Sequence, residues 1–259
     1  MSVRFPRGVR GAVEKYADRI EQAVKLDVDW DNPLGCGSFG CVFPTSEQGK
    51  VLKISSDPTE GPVVKAVMDT KLDKRSEGLG RWYGVWRIPE AINAAGPRST
   101  GWVILREDVK PFDTMKDLGF ATPRWLMALR EYNAHARKSI DLKTEYRREH
   151  EWEGAQEKIG TLFNYEETYY VAEAIEELNR SGIRLADVHH GNLGFRIFPT
   201  EDQPTTEVRW FDNKNRPPLL IFDLGHSSAP PGMTIDDLWN EVVQANPGVV
   251  EYASKIRSI

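Results

Sequence analysis

The segment LGCGSFGCVF, residues 34–43, constrains the fold of this chain more than any other. In a dinucleotide-binding turn, a helix opens after the last glycine of such a cluster. Here the residues after Gly40 are apolar and strand-forming, and they lead through a polar turn, SEQGK, into a second apolar run, VLKIS. Gly35, Gly37 and Gly40 therefore lie in a hairpin, which leaves backbone N–H groups available to lie over phosphates. Taken alone, a glycine cluster of this kind is more often an ordinary turn.

The surrounding pattern predicts one lobe built on this hairpin. Val13, Tyr16, Ala17, Ile20 and Val24 recur at helical spacing, so an amphipathic helix that serves packing precedes the first strand. LGCGSFG, CVFPT and VLKIS read as three antiparallel strands, and RWYGVWRIPEAI and GWVILREDV as two more. After Pro58, residues 59–72 place Val63, Val64, Val67, Met68 and Leu72 on one face of a helix. The expected fold is α+β: a five-stranded antiparallel lobe with one helix, then a mainly helical lobe. The expected divisions are 1–26 for the N-terminal helix, 27–110 for the sheet lobe and 111–259 for the second lobe. Past Pro111 the pattern turns helical as far as EETYYVAEAIEELNRSG, whose glycine is of the C-cap type. Short extended runs follow, IRLADV, LGFRIF, VRWFD and PLLIFD, with TEDQPTTE as a hairpin insertion and one or two helices after Gly225.

Composition removes several classes. The 259 residues are 40% hydrophobic and 28% charged, ordinary for a globular chain. The net charge of -5 gives no global footprint for nucleic acid or an anionic membrane surface. No run of about 18 apolar residues occurs, and the start lacks the roughly 7–15 residue apolar core of a secretory signal, so a cytoplasmic protein is expected. The two cysteines, Cys36 and Cys41, are too few for a disulfide scaffold and wrongly spaced for zinc. They are either two small residues of the hairpin or a redox link across it.

Three further elements carry chemistry. Lys53 stands inside the apolar run VLKI, where a charge needs a partner, and a nucleotide phosphate is one such partner. The ordinary alternative is a lysine on a solvated strand face. In DVHHGN, Asp187 can orient a hydroxyl and take its proton, and Asn192 can reach a metal bound to the same phosphates. Adjacent His189 and His190 cannot easily share one zinc, so His189 is read as bracing the loop. LLIFDLG ends a strand in Asp223, which suits either a cation ligand or a plain Asp-x-Gly turn.

The order glycine hairpin, strand lysine, D-x-x-x-x-N and D-x-G resembles the protein-kinase-like phosphotransferase superfamily, over residues 34–225. The loop Asp187, His189, Gly191, Asn192 is more similar to aminoglycoside and choline phosphotransferases than to eukaryotic protein kinases. The likeness is thus to a minimal kinase of bacterial or phage type. It implies a bilobal fold and binding of ATP by Gly35, Gly37, Ser38, Phe39, Gly40, Val42, Lys53, Glu60 and Glu107. It further implies that Lys53 pairs the α- and β-phosphates, that Asp187 is the catalytic base and that Asn192 and Asp223 hold Mg2+. Glu60, with Glu77 as second choice, would steady Lys53. Val42 and residues 105–109 would wall the adenine.

The pattern departs from that superfamily in several places. Leu185-Ala186-Asp187 replaces His-Arg-Asp or His-Gly-Asp, Asp-Leu-Gly replaces Asp-Phe-Gly, Val51 stands where many kinases keep alanine, and no Ala-Pro-Glu follows Asp223. A peptide-docking platform is accordingly expected to be reduced. An active phosphotransferase with a hydroxyl-bearing acceptor, small molecule or specialised protein, is favoured because each acidic and basic position is filled. The alternatives are a nucleotide-binding pseudokinase that serves as an interaction module, and a partner-binding protein with tryptophans in an exposed patch rather than in the core. Residues 124–165, rich in Arg, Lys and Glu, are either an acceptor surface or a solvated helical pair.

Overall fold

The computed structural model describes residues 9–37, 39–88, 101–111, 166–183, 190–196, 219–225, 240, 244 and 248–259. The chain is α+β. By compactness it divides into two units, one of Met1–Thr70, Arg81–Asp108 and Leu224–Ile259, the other of Lys71–Gly80 and Val109–Asp223.

The first unit is organised by an antiparallel sheet of five strands: β1 (Gly35–Cys36), β2 (Gly40–Pro44), β3 (Lys50–Ser55), β4 (Trp82–Ile88) and β5 (Gly101–Glu107), in the order β1-β2-β3-β5-β4. Side chains alternate between its faces. On one face Cys41, Phe43, Leu52, Ile54, Val103 and Leu105 form a single buried cluster with Val9, Ala12, Tyr16, Ile20 and Val24 of helix α1 (Val9–Val24). That helix contributes one half of a core, which agrees with the packing role read from its spacing. Glu21 ties it to the next segment, its Oε1 accepting from the Val28 N–H at 3.1 Å and from Trp30 Nε1 at 2.9 Å.

The opposite face carries helix α2 (Glu60–Asp69). Its first turn lies so close to Trp102 that a Cβ on Gly61 would come within 2.2 Å of the indole. The periodicity predicted one helix to residue 72, but the chain breaks it: Lys71 takes a left-handed φ of 56°, and a short helix α3 (Leu72–Arg75) follows in the other unit. Strand β4 is an edge, and edges with open N–H and C=O groups invite unwanted pairing. Here residues 256–259 cover it, with a parallel bridge from Arg87 to Ser258, Arg87 N–H donating to Arg257 O at 2.8 Å and Ile259 N–H to Arg87 O at 3.0 Å. The preceding helix packs on α2, and Arg87 Nη2 donates to Ala253 O at 2.7 Å. The sheet unit therefore carries more than the one helix expected of it.

In the second unit, strands β6 (Val109–Pro111), β7 (Leu193–Arg196) and β8 (Leu219–Ile221) form an antiparallel sheet in that order. The extended run that ends GWVILREDV is thus shared between two sheets. Helix α4 (Glu166–Arg180) buries Val171, Ala174, Ile175 and Leu178 on one stripe and packs on β8. It ends, as its sequence predicts, at a glycine with positive φ, Gly182 at 76°. Residues 78–80 run beside β8, with Ile221 N–H donating to Gly78 O and Gly80 N–H to Ile221 O. The last described helix is α5 (Val249–Lys255), the one that packs on α2 in the sheet unit. Among the described residues no helix is long and apolar enough to cross a membrane. The runs at 184–189 and 208–212, the TEDQPTTE insertion and residues 124–165 lie outside the described residues.

Ile20, fully buried between α1 and the sheet, tests whether α1 is core. Ile20→Ala is expected to lower unfolding stability by about 2–5 kcal/mol in urea titration. A change below about 0.5 kcal/mol would mark α1 as an appendage.

Candidate functional site

Lys53 lies in the middle of β3, opposite Val42 on β2 and Ile104 on β5. Directly opposed residues of an antiparallel ladder share a face. Leu52 and Ile54 turn toward α1, so Lys53 and Val42 are on the α2 side. There Lys53 is only 9% exposed, and its Nζ lies 2.7 Å from Glu60 Oε1, itself 2% exposed. A buried ammonium is tolerable only beside a counter-charge. Glu60 occupies the first turn of α2, where the partial positive charge of a helix N-terminus also favours a carboxylate. The corner from β3 into α2 is held by Asp57, whose Oδ1 accepts from Thr59 N–H at 2.8 Å and Thr59 Oγ1 at 2.6 Å. Of the two glutamates weighed as partners of Lys53, Glu60 is the one on it; Glu77 is an exposed turn residue of the second unit.

The glycine hairpin closes through Gly37 N–H donating to Gly40 O at 2.8 Å. Its tip is anchored to the end of β3, the Phe39 carbonyl accepting from Ser56 N–H at 2.6 Å and Ser56 Oγ at 2.8 Å. Gly40 has a packing reason to be glycine, since a Cβ there would stand 2.2 Å from Ile54 O. Gly35 and Gly37 have none: a Cβ would meet nothing within 4 Å, and neither has a positive φ. Glycine where neither sterics nor dihedrals require it fits close approach of a ligand to the backbone. Ser38 lies outside the described residues. Cys36 and Cys41 are joined in a disulfide, which decides between the two readings left open for them.

Glu107 is 2% exposed and committed within the sheet. Its Oε2 accepts from Arg81 N–H at 2.9 Å, its own N–H donates to Arg81 O at 2.8 Å, and Arg106 Nη1 donates to its carbonyl at 3.2 Å. No sequence signal marked that exchange, because Arg81 and Glu107 meet only through the pairing of β4 with β5.

In the second unit, Asn192 ends a single 3-10 turn, His190–Asn192, and is 4% exposed. The register pairs Leu193 with Ile221, and Phe222 N–H donates to Asn192 O at 3.0 Å. Asn192 thus stands beside the residue that precedes Asp223, which is half-buried. An amide oxygen and a carboxylate at neighbouring strand ends are the oxygen donors that a hard divalent cation takes. Among the described residues no group of three or more His, Cys, Asp or Glu side chains is gathered for a metal. Asp187 and His189 lie outside the described residues. The four described tryptophans, Trp30, Trp82, Trp86 and Trp102, are buried or half-buried, which favours core over patch for those four.

No protein-family model matches the chain, and no curated protein matches it in sequence.

Two substitution sets follow from this geometry. Gly40→Ala is expected to cost about 1–3 kcal/mol of stability, while Gly35→Ala and Gly37→Ala stay within about 1 kcal/mol of the parent in denaturant titration. Equal losses at all three would refute a ligand-related reason for the first two glycines. Lys53→Met, which leaves the Glu60 carboxylate buried, is expected to cost about 3–5 kcal/mol, most of it restored by adding Glu60→Leu.

Proposed function

We propose that this protein is an ATP-dependent phosphotransferase of the protein-kinase-like type, bilobal, which moves the γ-phosphate to a hydroxyl of a small molecule or a specialised protein. One observation carries the reading: the buried Lys53–Glu60 pair, on the Val42 face of a five-stranded antiparallel sheet whose first hairpin holds two glycines the protein's own packing does not require. A lysine fixed by a carboxylate is a rigid cation for phosphate oxygens rather than a swinging one.

In this reading the backbone of Gly35, Gly37 and Gly40 lies over the phosphates, Lys53 meets the α- and β-phosphates, and Val42 walls the adenine. Glu107 serves by holding the β4–β5 edge through Arg81, since its polar groups are engaged there. Asn192 and Asp223 would hold Mg2+, which would supply positive charge against that gathering on the phosphate oxygens. Asp187 takes the proton of the acceptor hydroxyl as the acceptor oxygen bonds to the γ-phosphorus and the bond to the β–γ bridging oxygen breaks, with ADP as leaving group.

The decisive experiment measures MgATP binding by calorimetry and phosphoryl transfer to candidate acceptors by mass spectrometry, in the parent and in Asp187→Asn. Transfer is expected to fall by roughly 10²–10⁴ in the variant with MgATP affinity retained. Transfer that survives the substitution removes Asp187 as the base. Binding without transfer in the parent favours the pseudokinase, and no binding in the parent ends the reading.

A further inference from the structure

The Cys36–Cys41 disulfide joins residues that are direct partners across the β1–β2 ladder, one on each side of the glycine turn. Strand β1 is only 2 residues long, so few hydrogen bonds hold this hairpin, among them Leu34 N–H to Val42 O and Gly37 N–H to Gly40 O, both 2.8 Å. The tip is also held to the end of β3 through Phe39 O and Ser56, so the covalent tie adds to these contacts by locking β1 to β2 at the base of the turn. The loop it closes is short, and the stabilisation from closing a loop rises with loop length, so its effect falls on the hairpin more than on the whole fold.

The bond lies on the sheet face away from Lys53. Cys41 is fully buried against the α1 cluster and opposes Ile54, whereas Val42 opposes Lys53. It can stiffen the backbone over the proposed phosphate position without itself touching a nucleotide. Cys36 is only partly buried, so of the two cysteines it is the one a thiolate can approach.

We infer that this disulfide is a redox clamp on the glycine hairpin, closed in the oxidised chain and opened by a dithiol reductant, and that it sets the affinity for MgATP. The regulatory half of the inference rests on the phosphotransferase reading. A reductant thiolate attacks one sulfur, the S–S bond breaks to a mixed disulfide, and the reductant's second thiolate displaces it. Two electrons and two protons pass to the cysteines while the reductant becomes a disulfide. The oxidised hairpin is ordered before the nucleotide arrives, so binding costs less conformational entropy; the dithiol form must be ordered on binding.

The test compares the full chain in oxidised form with the same chain reduced by dithiothreitol, by amide hydrogen exchange at Gly37, Phe39 and Gly40 and by MgATP titration. Reduction is expected to speed exchange at these amides and to weaken MgATP binding roughly three- to tenfold. The variant Cys36→Ala/Cys41→Ala should behave as the reduced chain with or without dithiothreitol. Equal MgATP affinity in the two redox states overturns the regulation while the phosphotransferase reading stands. No MgATP binding in either state overturns both. A dithiothreitol effect that persists in the double variant, or exchange indifferent to reduction, overturns the clamp itself.

Discussion

A charged residue in the third strand of a packed sheet is the constraint on which the first unit is built. Lys53 cannot sit in that sheet, almost cut off from solvent, unless an anion is brought to it. Glu60 is that anion, and delivering it fixes where α2 begins, how the chain turns after β3 through Asp57 and Thr59, and which face of the sheet the helix must cover. Gly61 and Trp102 then settle how closely the helix descends, and α5 packs against it. The ion pair adds little net stability once the desolvation of both charges is counted, so its value is in position.

Much of this was legible in the sequence because strands and amphipathic helices announce themselves by period. The short apolar runs CVFPT and VLKIS around the glycine cluster and the polar turn identified paired strands, and the spacing of Val13, Tyr16, Ile20 and Val24 identified a helix stripe that packs. What period does not reveal is who packs with whom. Nothing in the residues around Arg87 tells that Ser258 will lie beside it, and nothing in Val109 separates it from the strand before it. Both are long-range choices, made by competition for a sheet edge. The helix break at Lys71 was hidden for another reason: lysine is a good helix former, and only the demand of the fold puts it in a left-handed conformation.

The candidate site divides in the same way. Glu60 could be nominated because the resemblance calls for a helix glutamate beside the strand lysine, and the DPTEG segment after β3 supplies one. Asn192 and Asp223 could be nominated only as motifs, and their adjacency emerges from the register of β7 on β8. The disulfide stayed undecided because a two-cysteine chain satisfies both a reduced and an oxidised reading until the ladder sets Cys36 against Cys41. The pairing of Arg81 with Glu107, which ties the ends of β4 and β5, escaped notice, although Glu107 itself was expected at the nucleotide, since the two meet only through the fold.

The way residues 256–259 close over β4 has a bearing on biosynthesis. Arg87 and Ala253, joined by a hydrogen bond, are 166 residues apart, so while a ribosome is still making the stretch between them, β4 lacks the cover that residues 256–259 give it. Nascent chains in that condition are open to pairing with a neighbour. The sheet unit is therefore sealed late, and its maturation waits on the α5 region leaving the exit tunnel.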